Sequence, residues 1–291
     1  MATKSFTEQV EEIKNSSASV ASKKRALIRF GLTSYEADII LKDFNIKADS
    51  DAYTFGVEIE CLVQRGVVTE KAREFSVPIS YEGYNHRDNK HYFKFVSDAS
   101  IRGENPIECV SPILSSKGGF EKLENCCKAL NEAGAAVNKS TGLHVHIGAA
   151  NLSGWQYCNV FINYQRLEKI IDTFMAASRR ESNNIYCKTL LNECLANCND
   201  MYDVLDVFGR SRYYKVNPCS YMRHGTIEFR QHQGSTDFEK ISMWVKFCAK
   251  LVKFSKNNRL QEDVLSINDI PFLTQKEKAF FNKRANHFAN N

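Results

Sequence analysis

Gly142-Leu143-His144-Val145-His146-Ile147-Gly148 alternates imidazoles with aliphatic side chains between two glycines. Residues two apart in a strand leave the same face. His144 and His146 therefore form one polar row, with Val145 and Ile147 on the opposite side. A strand facing bulk water alternates too, but with Thr, Lys, Ser and Gln rather than imidazoles. Two more stretches share the pattern. Phe55-Gly-Val-Glu58-Ile-Glu60 sets two carboxylates against Val57 and Ile59, and Thr226-Ile-Glu228-Phe-Arg230-Gln-His232 sets Glu228, Arg230 and His232 against Ile227 and Phe229. The three polar rows predict the floor of a metal and phosphate site.

Around these strands the pattern predicts Tyr53–Leu62, His91–Val96, Pro106–Val110, Gly142–Ile147, Tyr213–Asn217 and Gly225–His232 as extended. Helices are expected from Gly118 to Ala133, closed by Gly134, and from an N-cap at Ser153 towards Ala177. Others should run from Ile185 to Val207, from a Thr236/Glu239 capping box towards Phe254, and over Gln275–Ala285. Strands cluster early and helices do not alternate with them one for one. The fold class is α+β with a mostly antiparallel sheet, over residues 51–291. Residues 1–50 read as a helical extension, with Thr33/Glu36 as a capping box. Arg29-Phe-Gly-Leu-Thr-Ser-Tyr-Glu-Ala37 resembles helix-turn-helix sequence, although a helical pair packed on the main domain explains the same pattern.

The bulk numbers exclude more than they select. A chain of 291 residues, 43% apolar, buries a substantial core. Its 39 basic and 34 acidic residues suit an anionic ligand but are too nearly balanced to argue nucleic acid. The ten cysteines fall irregularly in core-like segments, without a Cys-x-x-Cys pair, and read as reduced thiols in a cytoplasmic protein. Cys187, Cys194 and Cys198 fit one helical stripe. No signal peptide or membrane span is expected, since the apolar stretch Ile241–Phe254 carries Lys246, Lys250 and Lys253.

Glu58 and Glu60 on one strand face need a cation or a proton between them, and hard oxygen donors favour Mg²⁺ or Mn²⁺. A solvated carboxylate pair is the plainer reading. His144 and His146 lack the nearby ligating Glu of a cupin and the repeating βα context of an amidohydrolase barrel, which leaves metal ligation or simple buried hydrogen bonding. Arg230 can grip a phosphate or carboxylate with two parallel bonds, or merely pair with Glu228. Further candidates are Asp98 and Ser100, Glu108, Arg179 and Arg180, and Lys215 with Asn217. No Walker A sequence is present.

Taken in order, Phe-Gly-x-Glu-x-Glu at 55–60, Glu-x-Val-Ser-Pro at 108–112, Gly-Leu-His-Val-His at 142–146 and Thr-Ile-Glu-Phe-Arg-Gln-His at 226–232 resemble the amidoligase family. That family is a branch of the carboxylate-amine ligases that includes glutamine synthetase and glutamate-cysteine ligase. The resemblance covers roughly residues 53–250. It implies a curved antiparallel catalytic sheet with helices on its outer side, and ATP-dependent joining of a carboxylate to an amine through an acyl phosphate. Glu58, Glu60, Glu108, Glu228 and His144 would hold divalent metal, and His146 would touch the nucleotide. Arg230 would steady the acyl phosphate, with Glu228 beside it in catalysis, and Asp98 would help deprotonate the amine. Arg179, Arg180 and Lys215 are expected to bind the nucleotide or an anionic substrate. Expected partners are small-molecule or peptide carboxylates and amines, and an enzyme that supplies ammonia or modifies peptides; neither membrane nor nucleic acid is expected. The competing readings are a metal-dependent hydrolase or phosphotransferase using the same rows, and a nucleic-acid or partner-binding protein on a ligase scaffold.

Overall fold

The structure, a computed structural model, describes residues 53–290 other than 84, 86–88, 116 and 117. Before them it describes residues 20–30 and the single positions 9, 12, 13, 16, 18 and 37. Eight strands form one open sheet: β1 (Thr54–Leu62), β2 (Ile79–Tyr81), β3 (Phe93–Val96), β4 (Pro106–Val110), β5 (Leu114–Ser115), β6 (Gly142–Gly148), β7 (Val216–Asn217) and β8 (Thr226–Gln233). Their order is β2-β3-β4-β1-β6-β8-β7, with β5 also on β1. Only the β2–β3 pair is parallel. The class is therefore the mixed α+β, mostly antiparallel one that the alternation predicts.

The apolar rows of β1, β6 and β8, with Phe93 and Phe95 of β3, are buried in one continuous core. Helices α3 (Gly119–Glu132), α4 (Gly154–Thr173), α7 (Phe238–Ser255) and α8 (Gln275–Ala289) contribute to it. Ser153 starts α4 through a capping box with Gln156, and Gly134 ends α3 in the left-handed region. At α7 the expectation shifts by one residue. Asp237 is the cap, while the Thr236 hydroxyl turns to Asn131.

The helix expected over 185–207 is not there; only α5, Met201–Val207, forms. Asp200 and Asp203 make its capping box, and upstream Asn183, Asn184, Asn192, Asn197 and Asn199 favour turns over helix. Cys187, Cys194 and Cys198 thus share no helical stripe; Cys194 is exposed, the other two are buried, and all ten cysteines are unpaired. The alternation gave no hint of α2 (Arg65–Glu74), α6 (Ser220–His224), β2 or β5.

Within the extension one helix, α1 (Val20–Arg29), is described, and its Leu27 is buried with Ala37 against Ile13, Phe30 and Met222 of α6. The Thr33/Glu36 box and most of the helix-turn-helix-like phrase lie outside the described residues. Among the described residues no helix is long and apolar enough to cross a membrane.

Candidate functional site

Strand register brings the separate motifs to one face. Glu58 lies opposite His144, Glu60 opposite Glu108, and His146 opposite Glu228. Directly opposed residues share a face. The result is a patch of carboxylates and imidazoles spread over β4, β1, β6 and β8, with the core behind it.

Three overlapping groups of donor atoms result, each gathered within 4.8 Å: Glu58, His146 and Glu228; Glu58, Glu108 and His144; and Glu60, Asp98 and Glu108. His144 Nδ1 is 2.8 Å from Glu58 Oε2 and 3.8 Å from Glu228 Oε1, and its Nε2 is 3.5 Å from Glu60 Oε1. Glu60 Oε2 accepts the backbone N–H of Gly142 at 2.6 Å. His146 Nδ1 is 2.9 Å from Thr226 Oγ1 and 3.3 Å from Ser220 Oγ. Its Nε2 is buried and 3.3 Å from Glu58 Oε1, so the ring faces the carboxylates with Glu58 as its partner there.

The charges are unequal by environment. Burial pushes Glu108 well above the usual carboxylate range, and the nearby Glu58, Glu60 and Asp98 add to it. Burial acts the same way on Glu58, but hydrogen bonds to His144 and His146 outweigh it and hold its carboxyl well below that range. Glu228 is buried too, yet Arg230 and His146 bring it down to about 2. His146 is raised: burial opposes its charge, and Glu228 with Glu58 overcomes that. Carboxylates and imidazoles gathered this closely could hold a hard divalent cation.

Arg230 donates to Glu228 through Nη1 and reaches the Tyr186 carbonyl at 3.4 Å through Nε. Asn217 also donates to Glu228. Asp98 stands in the third donor group and accepts the Ser100 N–H at 2.6 Å. Arg179 belongs to the floor as well. Its guanidinium packs over Gly142, where a Cβ would come within 3.1 Å of Nη2 and 3.2 Å of both Nη1 and His144 Nε2.

Three expectations need correction. His232 is not in the Glu228 row. Leu143 pairs with His232 and Val145 with Phe229, so Arg230 and Gln231 together oppose His144 in a β-bulge. The extra residue turns His232 to the helix side, where it packs on Trp244 and Arg284, and burial together with Arg284 pulls its imidazole down to about 3. Lys215 points away from the nucleotide role; fully buried, it is paired with Glu168 at 2.8 Å and Asp172 at 2.7 Å on α4. Arg180 bonds the carbonyls of Met175 and Phe288 and lies over the Phe288 ring, holding the end of α8.

The motifs gave no role to Thr226, although it opens the fourth of them, and passed over Ser220 and Lys94; Ser220 and Thr226 orient His146. That lysine is buried on β3 opposite Val110, itself opposite Glu58, and donates to Asn85 Oδ1 at 3.3 Å. The alternation Phe93-Lys94-Phe95 was its available signal.

Residues 51–252 match the family model described as "Putative amidoligase enzyme". The chain belongs to the amidoligase family. All three donor groups fall inside the matched region, which supports an enzyme that forms amide bonds. Among solved structures the chain is similar to a bifunctional glutathione synthetase from Pasteurella multocida, at 13% identity and a TM-score of 0.40. That alignment covers 82% of this chain and 41% of the other, so the amidoligase chain spans less than half of that protein's length. No curated protein matches it.

Proposed function

We propose that this amidoligase is an ATP-dependent carboxylate-amine ligase working through an acyl phosphate, on a sheet of the glutamine synthetase and glutamate-cysteine ligase kind. The observation that supports the reading is the gathering of carboxylate and imidazole donors from β1, β4, β6 and β8 into three overlapping groups, each within 4.8 Å, on one face of the sheet. Glu58, Glu60, Glu108, Glu228, His144 and His146 would hold divalent metal, Mg²⁺ or Mn²⁺. When bound, the metal supplies positive charge that offsets the phosphates and the charge developing in phosphoryl transfer.

A carboxylate is a poor electrophile because its leaving group would be oxide or hydroxide. Its oxygen attacks the terminal phosphorus of ATP, and ADP departs. The amine nitrogen then attacks the carbonyl carbon, phosphate departs, and the nitrogen gives up a proton. Arg230, fixed by Glu228 and the Tyr186 carbonyl, would hold an anionic group beside β8. Asp98 accepts the Ser100 N–H with Oδ1, and its other oxygen would take the amine's proton.

Thermal stability with and without ATP and Mg²⁺, in wild type and Glu228→Gln, tests the reading. Ligand at about 100-fold over its Kd adds roughly 2.7 kcal/mol. A metal-dependent ATP shift in wild type that is lost in the variant supports it and justifies screening carboxylates and amines for ADP release. A shift with divalent metal alone, and none with ATP, turns the assignment to a metal-dependent hydrolase.

A further inference from the structure

Four basic side chains at or behind the floor are largely buried; Lys94 donates to Asn85 Oδ1 at 3.3 Å, and two of the other three have their counter-charges. Lys215 has Glu168 and Asp172; Arg230 has Glu228. Arg179 does not. It is 3% exposed, yet among the described residues its guanidinium meets only neutral partners: the Thr141 carbonyl at 2.7 Å from Nη2, and the Cys187 thiol at 4.0 Å from Nη1. Its Nε is buried with no hydrogen-bond partner at all. Glu60, bonded to the N–H of the same Gly142, commits Oε2 there and turns Oε1 to His144.

A buried guanidinium with no carboxylate at ion-pairing distance is costly to keep, and a ligand's negative charge would offset that cost. The chain also keeps the space clear. Gly142 has no side chain where one would press on both the guanidinium and the His144 ring. Arg179 thus sits beside the metal-capable His144 with donors unused, in a dry position where an ionic hydrogen bond is strong.

We infer that Arg179 is the oxyanion clamp of the reaction. It takes an oxygen of the group in transit, either the terminal phosphoryl group of ATP or the carboxylate that receives it. The inference rests on the ligase reading of the floor and assigns within it a division of labour. Arg230, neutralised by Glu228, positions that carboxylate beside β8, while Arg179 carries the positive charge that an anion answers.

The test compares wild type with Arg179→Met, Arg179→Lys and Gly142→Ala, the last pressing on the guanidinium without removing it. For each protein, melting temperature is measured without ligand, with Mg²⁺ and ATP, with Mg²⁺ and ADP, with Mg²⁺ and orthophosphate, and with Mg²⁺ and acetate. A phosphoryl clamp predicts that Arg179→Met melts close to wild type without ligand and binds ADP normally. It should bind ATP about tenfold or more weakly and lose its orthophosphate shift, with partial recovery in Arg179→Lys. If acetate is the response that depends on Arg179, and the ATP-to-ADP ratio holds, the clamped oxyanion is the carboxylate. A lower ligand-free melting temperature in Arg179→Met with every ligand shift unchanged overturns the inference, because Arg179 is then a tie between Thr141 and the turn at 177–179. Wild type that responds to orthophosphate through Arg179, but to neither nucleotide, keeps the clamp and rejects the ATP reading.

Discussion

Replacing Glu108 by Gln probes the carboxylate floor through a proton instead of through turnover. Glu108 lies on β4 opposite Glu60; burial, followed by the charges of Glu58, Glu60 and Asp98, holds its pKa well above 4.5. The folded, metal-free protein therefore keeps a proton that the unfolded chain has already released. Stability must then fall as pH rises from about 4.5 towards the raised value, by up to ~1.4 kcal/mol per pH unit. His146, also raised, gives a slope of the same sign above its unfolded value of 6.5. The difference between wild type and Glu108→Gln isolates the Glu108 share. Glu58 and Glu228 are lowered, so their contributions are complete above 4.5 and do not intrude.

On the proposed reading a divalent cation takes the Glu108 carboxylate and must expel its proton, so affinity should rise by up to about tenfold per pH unit across the same window. Urea melts from mildly acidic to neutral pH would read the first effect. Titration calorimetry with Mn²⁺, in two buffers of different ionisation enthalpy, would read the second. In Glu108→Gln the metal-free protein should be the more stable one at neutral pH, and Mn²⁺ should bind more weakly and release fewer protons. Wild-type stability that climbs over this range, or Mn²⁺ binding that releases no proton, would refute the account of the floor.

Glu228 behaves in the opposite sense. Its pKa of about 2 against 4.5 unfolded means stability present above 4.5 and lost as pH falls towards 2, and on the order of 3 kcal/mol should disappear in Glu228→Gln by urea melt at neutral pH. Lys215→Met leaves Glu168 and Asp172 buried without their cation and should cost about 3–5 kcal/mol by denaturant melt, while Mn²⁺ affinity of the folded fraction stays at the wild-type value. Ser153→Ala removes the α4 cap and should cost about 1 kcal/mol by thermal melt, with no change in metal binding.

How far the site could be read in advance follows from what alternation encodes. A period of two assigns Glu58, Glu60, His144, His146 and Glu228 to faces, and the register then opposes them as paired rows. The same rule fails at His232, because a bulge costs one residue and carries no local signature in Phe229-Arg230-Gln231-His232. Beyond strands the limit is different. Arg179 and Arg180 are adjacent in sequence and equally basic, yet one packs over Gly142 beside the imidazoles and the other holds the last helix. Composition cannot separate them, nor Arg179 from Lys215, since both are buried cations. What separates them is whether the fold supplies a carboxylate. Glu168 and Asp172 come from α4, 47 and 43 residues before Lys215, and only the folded chain shows that they arrive there while, among the described residues, the hydrogen bonds of Arg179 go to the Thr141 carbonyl and the Cys187 thiol. A buried cation with its partner is part of the scaffold; one without it marks where a ligand's charge belongs.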